Sequence, residues 1–249
     1  MTRLISCGLL ALLLVPTQLS AQAEAGSHVY AAYYKINYAD MAEWVAGHFE
    51  HEVPILEQLR DEGIIQNWAI WQHHTGGEYN WRFAAIADEW SKLDTFWEQY
   101  LGRMQENASE HFDRAMSLVE AHYDEIWDLS EVNFPDGAAP QYVFDSSYQI
   151  RFSNMEEWNA VWSQLVTPVL NQAMEEGLLA GWAIEGHNTG LRHNWKVLYF
   201  FDEWDQIDDL FSRLEAAWMA EPALFENAAR MVEGHDDVIW SAVAEPAGN

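Results

Sequence analysis

Cysteine is almost missing from this chain. Cys7 is the one thiol in 249 residues, and it sits in an expected leader, so the mature protein has no disulfide, thiolate metal site or cysteine nucleophile to draw on. Basic residues are scarce too: 12 Lys and Arg stand against 40 Asp and Glu, for a formal net charge of −28. Such a surface repels nucleic acid and anionic lipid, and no basic patch overrides it, so neither is expected as a partner. Long apolar runs are confined to Leu4–Val15, too short for a permanent membrane span. With Arg3 before that run and Ala21-Gln22-Ala23 after it, residues 1–23 read as a secretory signal peptide, and the protein is expected in the periplasm or medium. The serines lack a Gly-x-Ser-x-Gly elbow and no Gly-rich phosphate loop follows a strand, so hydrolase, kinase and dinucleotide readings have no support.

What the chain does have is tryptophan, 14 in all, and a register in which the tryptophans recur. Tyr34-x-Ile36 returns as Tyr148-x-Ile150, an offset of 114, and Met41-x-Glu43-Trp44 as Met155-x-Glu157-Trp158. The same offset relates Trp68-Ala69-Ile70 to Trp182-Ala183-Ile184, His73-x-Thr75-Gly76 to His187-x-Thr189-Gly190, and Asn80-Trp81 to Asn194-Trp195. After one deletion, His122 and Ile126-Trp127 return as His235 and Ile239-Trp240. Rare residues do not align in one register by chance, so the mature chain is a duplication: copy one over 28–130, a Pro- and Gly-bearing linker over 131–141, copy two over 142–244 and a tail over 245–249.

Within each copy the hydrophobic period switches in a fixed order. Tyr30 to Asn37 alternates as a strand. Met41, Trp44, Val45, His48 and Phe49 fall at helical spacing behind Asp40, a cap, and Gly63 ends the helix. In copy two Asn154 is the matching cap. Ile64–Gln72 and Asn80–Ala87 form a hairpin around Gly76-Gly77. A helix from Trp90, a shorter one over Ser109–Glu120 (led by Pro222 in copy two) and a strand over His122–Leu129 close the copy. The order is βαββαβ, whose two main helices cover one sheet face and leave an aromatic face bare. A tethered second copy is the natural partner for that face.

This order, with a Trp opening the second helix and a Pro-led helix before the last strand, resembles the dimeric α/β-barrel superfamily, including its NIPSNAP, EthD and antibiotic-biosynthesis-monooxygenase types and the tandem chlorite dismutase group. The resemblance spans nearly the whole mature chain and singles out no one family. It implies an α+β protein of two tandem ferredoxin-like domains forming an intramolecular barrel with aromatic-lined cavities. It further implies that His122 or His235 could ligate haem.

Several residues could carry chemistry. His73 and His187, beside Asn80-Trp81 and Asn194-Trp195 at the hairpins, could orient a carbonyl or phenolic ligand or supply a base; equally, they could bond the hairpin backbone. Trp68 and Trp182 would line a cavity. Arg82 and Lys196 share a strand position and could pair a ligand carboxylate or an acidic neighbour. His122 and His235 each have an Asp two residues on, Asp124 and Asp237, on the same strand face. His48, His51 and Glu52, in copy one alone, could approach a divalent metal, although copy two has Trp162 where His48 stands, which favours a core role. The expectation is therefore an exported binder of a small apolar or aromatic molecule that needs no cofactor, haem and a divalent metal being the ones it could take, with self-association possible. Cofactor-independent oxygenase or isomerase chemistry by a barrel histidine, and a scaffold with filled barrels, are the alternatives.

Overall fold

In the computed structural model, residues 23–135, 138–190 and 192–243 are described. Nearly all of the leader, Asp136 and Gly137 of the linker, and the tail lie outside them. Copy one runs β1 (His28–Ile36), α1 (Met41–Gly47), a π-helical turn (His48–Glu52), α2 (Val53–Asp61), β2 (Asn67–Thr75), β3 (Trp81–Ala87), α3 (Trp90–Asn107), α4 (Ser109–Leu118) and β4 (Val119–Asn133). Copy two repeats it as β5 (Tyr142–Ile150), α5 (Met155–Val161), a π-helical turn (Trp162–Val166), α6 (Thr167–Glu175), β6 (Gly181–Thr189), β7 (Trp195–Phe201), α7 (Gln206–Ala220), α8 (Pro222–Met231) and β8 (Val232–Ala242). β4 runs on to Asn133, through the first residues of the stretch read as linker, because those residues pair with β6. Among the described residues no helix is long and apolar enough to cross a membrane.

The eight strands form one closed antiparallel barrel in the order β1-β3-β2-β8-β5-β7-β6-β4. Each copy supplies a four-stranded sheet, and two seams between copies, β4 with β6 and β2 with β8, close it. Strand alternation then sorts the side chains. Val29, Ala31, Tyr33, Trp71, Trp127, Leu198 and Trp240 point inward and fill the barrel. Tyr30, Trp68, Trp81 and Phe83 in copy one, and Trp182, Trp195, Val197 and Tyr199 in copy two, point outward under the helices of their own copy. The bare faces meet as expected, with consequences for where space is left.

The first helix of each copy is broken at the same place. Pro54 and Pro168 follow the π-helical turns at the start of α2 and α6, where a proline ring crowds the carbonyl four residues back and its nitrogen donates no bond; a locally widened turn relieves both. Asp40 and Asn154 hold the N-cap positions, but neither side chain bonds its helix.

The β2–β8 seam depends on a glycine. Gly76 has φ +87°, and a Cβ there would fall 2.4 Å from the backbone oxygen of Asp237. Gly63 has φ +72° but open space around it. Gly63→Ala should therefore cost only the left-handed backbone penalty of about 1–2 kcal/mol. Gly76→Ala should cost clearly more in urea unfolding, since the seam itself must shift; equal losses would show that the seam is not tight there.

Candidate functional site

Asn80 and Asn194 are structural ties. The β1 and β5 ladders each carry a bulge at Ile36 and Ile150, which takes backbone groups out of register. Asn80 Oδ1 accepts from Ile36 N–H at 2.9 Å and Nδ2 donates to its carbonyl at 2.6 Å; Asn194 does the same for Ile150 at 2.8 and 2.6 Å. His73 bonds the Gly76 carbonyl through Nε2 and stands edge-on to Trp240, while His187 stands edge-on to Trp127 with its Nε2 unpartnered. The hairpin constellation is thus divided: the histidines face barrel tryptophans, the asparagines clasp backbone, and Trp81 and Trp195 turn outward into the helical layer. Trp68 and Trp182 are buried in that layer, Trp182 donating to Asn171 at 3.2 Å.

Arg82 and Lys196 lie inside the barrel, each 2% exposed, with Glu125, Asp145 and Glu185. Lys196 Nζ donates to Tyr33 Oη at 2.9 Å, lies 3.6 Å from both Glu125 and Asp145, and sits 4.3 Å from the centre of the Trp127 ring. Arg82 is 3.8 Å from Asp145. Burial raises the Glu185 pKa against the pull of Lys196 and Arg82. The same burial pushes the Tyr33 hydroxyl up to about 12, keeping it neutral as the ammonium's acceptor. Removing the ammonium leaves the buried Glu125 without its cation and Asp145 with Arg82 alone. Lys196→Met should cost about 3–5 kcal/mol; chemical denaturation at pH 7 reads the loss, and a tolerated Lys196→Met would refute the stabilising role of this ammonium.

The apolar cavities lie outside the barrel, between sheet and helices. The tryptophans that fill the inner faces leave one opening of about 390 Å³ at a barrel end, floored by Lys196 and Tyr33. Copy one has a cavity of about 330 Å³ walled by Trp44, Trp81, Phe83, Trp97 and Phe112, with His48, Glu52, His122 and Asp124 in its lining. Copy two has one of about 460 Å³ walled by Trp158, Trp162, Tyr199, Phe211 and Trp218.

Two carboxylates anchor the copy-one cavity. Glu52, on the π-helical turn, accepts from Tyr100 Oη at 2.5 Å and from His111 Nε2 at 3.3 Å. His48, one turn back, brings Nδ1 to 3.0 Å from Glu52 Oε2, a close contact without hydrogen-bond alignment. Gly47 lets α4 come this close, since a Cβ there would fall 2.4 Å from the His111 ring. Asp124 accepts from Tyr30 Oη and lies 2.8 Å from His122 Nε2, whose ring stacks on Tyr34 at 4.6 Å. His235 repeats this on Tyr148, 2.9 Å from Asp237. Among the described residues, no group of three or more His, Cys, Asp or Glu is arranged to hold a metal ion. Tyr100 and His111 had no local signal in the sequence; they reach Glu52 from α3 and α4.

Burial alone would raise the Glu52 pKa, but His48, His111 and Tyr100 together hold it well below the usual carboxylate range. A depressed carboxylate stabilises the fold at pH values above its unfolded pKa of about 4.3, and that contribution fades as pH falls through the folded value. The stability gap between wild type and Glu52→Gln should therefore persist down to about pH 5 and narrow below about pH 4; a gap that widens there would contradict the assignment.

No family model matches the chain and no curated protein is detectably similar to it. Solved structures do match. A monooxygenase candidate from Fusobacterium nucleatum aligns at 10% identity over 91% of this chain and 97% of its own, with a TM-score of 0.62. A mutant chlorite dismutase from Candidatus Nitrospira defluvii, in complex with cyanide, aligns at 10% identity over 89% and 92% with a TM-score of 0.60. A heme-binding protein from Thermus thermophilus aligns at 13% identity over 88% and 92% with a TM-score of 0.52. At these identities the likeness concerns the fold, and the fold is that of the dimeric α/β barrel with both halves carried on one chain.

Proposed function

We propose that this protein is an exported receptor for a small aromatic molecule, held in the cavity between sheet and helices of copy one. One observation carries the reading. His48 and Glu52, buried, and Tyr100 and His111, half-buried, form a polar quartet in copy one, and the matched positions of copy two are Trp162, Val166, Leu214 and Leu224. Copy two is an internal control: the same fold closes its helical layer with an apolar set. Apolar replacement of a buried ionic group is often neutral or stabilising, so fold stability gives no reason to keep the quartet. A ligand that needs polar contacts inside an aromatic box does.

Haem, which one neighbour's description names, fits neither cavity. The lining of copy two holds no imidazole. The lining of copy one holds His48 and His122, but its charged members are Glu52 and Asp124 with no Lys or Arg, so the two propionates of a haem would meet carboxylates.

A second reading, oxygenation without a cofactor, rests on the His122–Asp124 pair. The carboxylate engages Nε2 at 2.8 Å, leaving Nδ1 to take a proton from a bound O–H or C–H acid, with dioxygen as the oxidant. Oxygen uptake by the metal-free protein in the presence of a bound ligand separates turnover from binding.

Ala115 and Ala228 occupy matched positions, each buried and each lining its own copy's cavity. Ala115→Phe fills the first and Ala228→Phe the second. Titration of two- and three-ring aromatic probes against tryptophan fluorescence should give saturable quenching in wild type and Ala228→Phe, and at least tenfold weaker binding in Ala115→Phe. Loss in Ala228→Phe alone would move the site to copy two, and no saturable probe at all would end the reading.

A further inference from the structure

We infer that His48 is the specificity-determining residue of this cavity and that it selects aromatic ligands bearing a free hydroxyl; the inference rests on the copy-one cavity being the binding site. His48 is 3% exposed, lines the cavity, and neither ring nitrogen has a hydrogen-bond partner among the described residues. A neutral imidazole that carries its proton on Nδ1, the nitrogen 3.0 Å from Glu52 Oε2, presents Nε2 as an acceptor. A buried acceptor with nothing to accept is unfavourable.

Two donors around the same cavity share that condition. The indole N–H groups of Trp44 and Trp81 are buried and unpartnered, and both rings line the cavity. The His48 and Trp81 rings are 5.1 Å apart, centre to centre, and the Trp44 and Trp81 rings 6.1 Å. One phenolic hydroxyl answers both needs: its proton goes to Nε2 and its oxygen accepts from an indole. An ether oxygen can only accept, and a hydrocarbon does neither. Copy two has the donors without the acceptor, since Trp162 replaces His48 and the Trp158 and Trp162 indoles are unpartnered at that cavity. No bond is made or broken in this step; it is recognition, and polar groups left unpaired by the wrong ligand are what make such recognition steep.

The test uses 2-naphthol, 2-methoxynaphthalene and naphthalene with the full chain, by tryptophan quenching and calorimetry. In wild type, 2-naphthol should bind at least about tenfold more tightly than its methyl ether. His48→Phe should shrink that ratio to within about twofold, and His48→Gln, whose amide oxygen can accept, should restore part of it. A wild-type ratio near one overturns the inference while leaving the cavity reading intact, and that measurement does not depend on any variant folding. An undiminished ratio in a folded His48→Phe also overturns it. If none of the three probes binds, the cavity reading fails and this inference with it.

Discussion

The two backbone seams between copies, β4 with β6 and β2 with β8, are the constraint on which everything else depends. Each copy alone is an open four-stranded sheet with helices on one side, two unpaired edges and an inner face carrying Tyr33, Trp71 and Trp127 in copy one or Val143, Leu198, Phe200 and Trp240 in copy two. Pairing the edges removes both liabilities in one step, because closure leaves no edge and turns the bare faces into a single interior. Tethering makes the closure intramolecular. The buried charges follow from it: Arg82 and Asp145, or Lys196 and Glu125, come from different copies and meet only when the barrel is shut.

Tryptophans and the Arg82/Lys196 layer occupy much of the barrel and leave a mixed polar and aromatic opening at one end, while the more apolar space lies between each sheet and its own helices. There the copies have diverged. Copy two has a larger cavity of aromatic and aliphatic side chains, whereas copy one carries a carboxylate and three groups that hold it at four positions that are apolar in copy two. A duplicated fold permits this, because one half can accept a costly buried network while the other half and the shared barrel maintain stability.

The aromatic residues serve two purposes. On the outward faces, Trp44, Trp81, Trp158 and Trp162 bury large apolar area, and their indole N–H groups, unpartnered in the described residues, leave donors around the cavities. The π-helical turn serves the same end: by widening the helix ahead of Pro54 it brings His48 and Glu52 to the cavity wall together.

The duplication, the βαββαβ order and the alternation of faces were all legible in the sequence, because each is written in local periods of two and 3.6 residues and in a repeat of tryptophans at one offset. That His122 and Asp124 would share a strand face followed from the same periodicity, which left open whether Arg82 and Lys196 would meet a ligand carboxylate or the acidic neighbours they have. The polar quartet was not legible. Tyr100 and His111 reach Glu52 across sequence separations of 48 and 59 residues, from helices whose own patterns read as ordinary amphipathic surfaces, and Gly47 permits the approach without announcing it. Nor could the repeat of Asn80 and Asn194 reveal that they tie down a bulge, since a structural amide and a ligand-binding amide look alike in one dimension. Periodicity determines which way a side chain faces; only the packed structure decides what it meets there, because hydrogen bonds and charge contacts depend on distances of a few ångströms that no local pattern encodes.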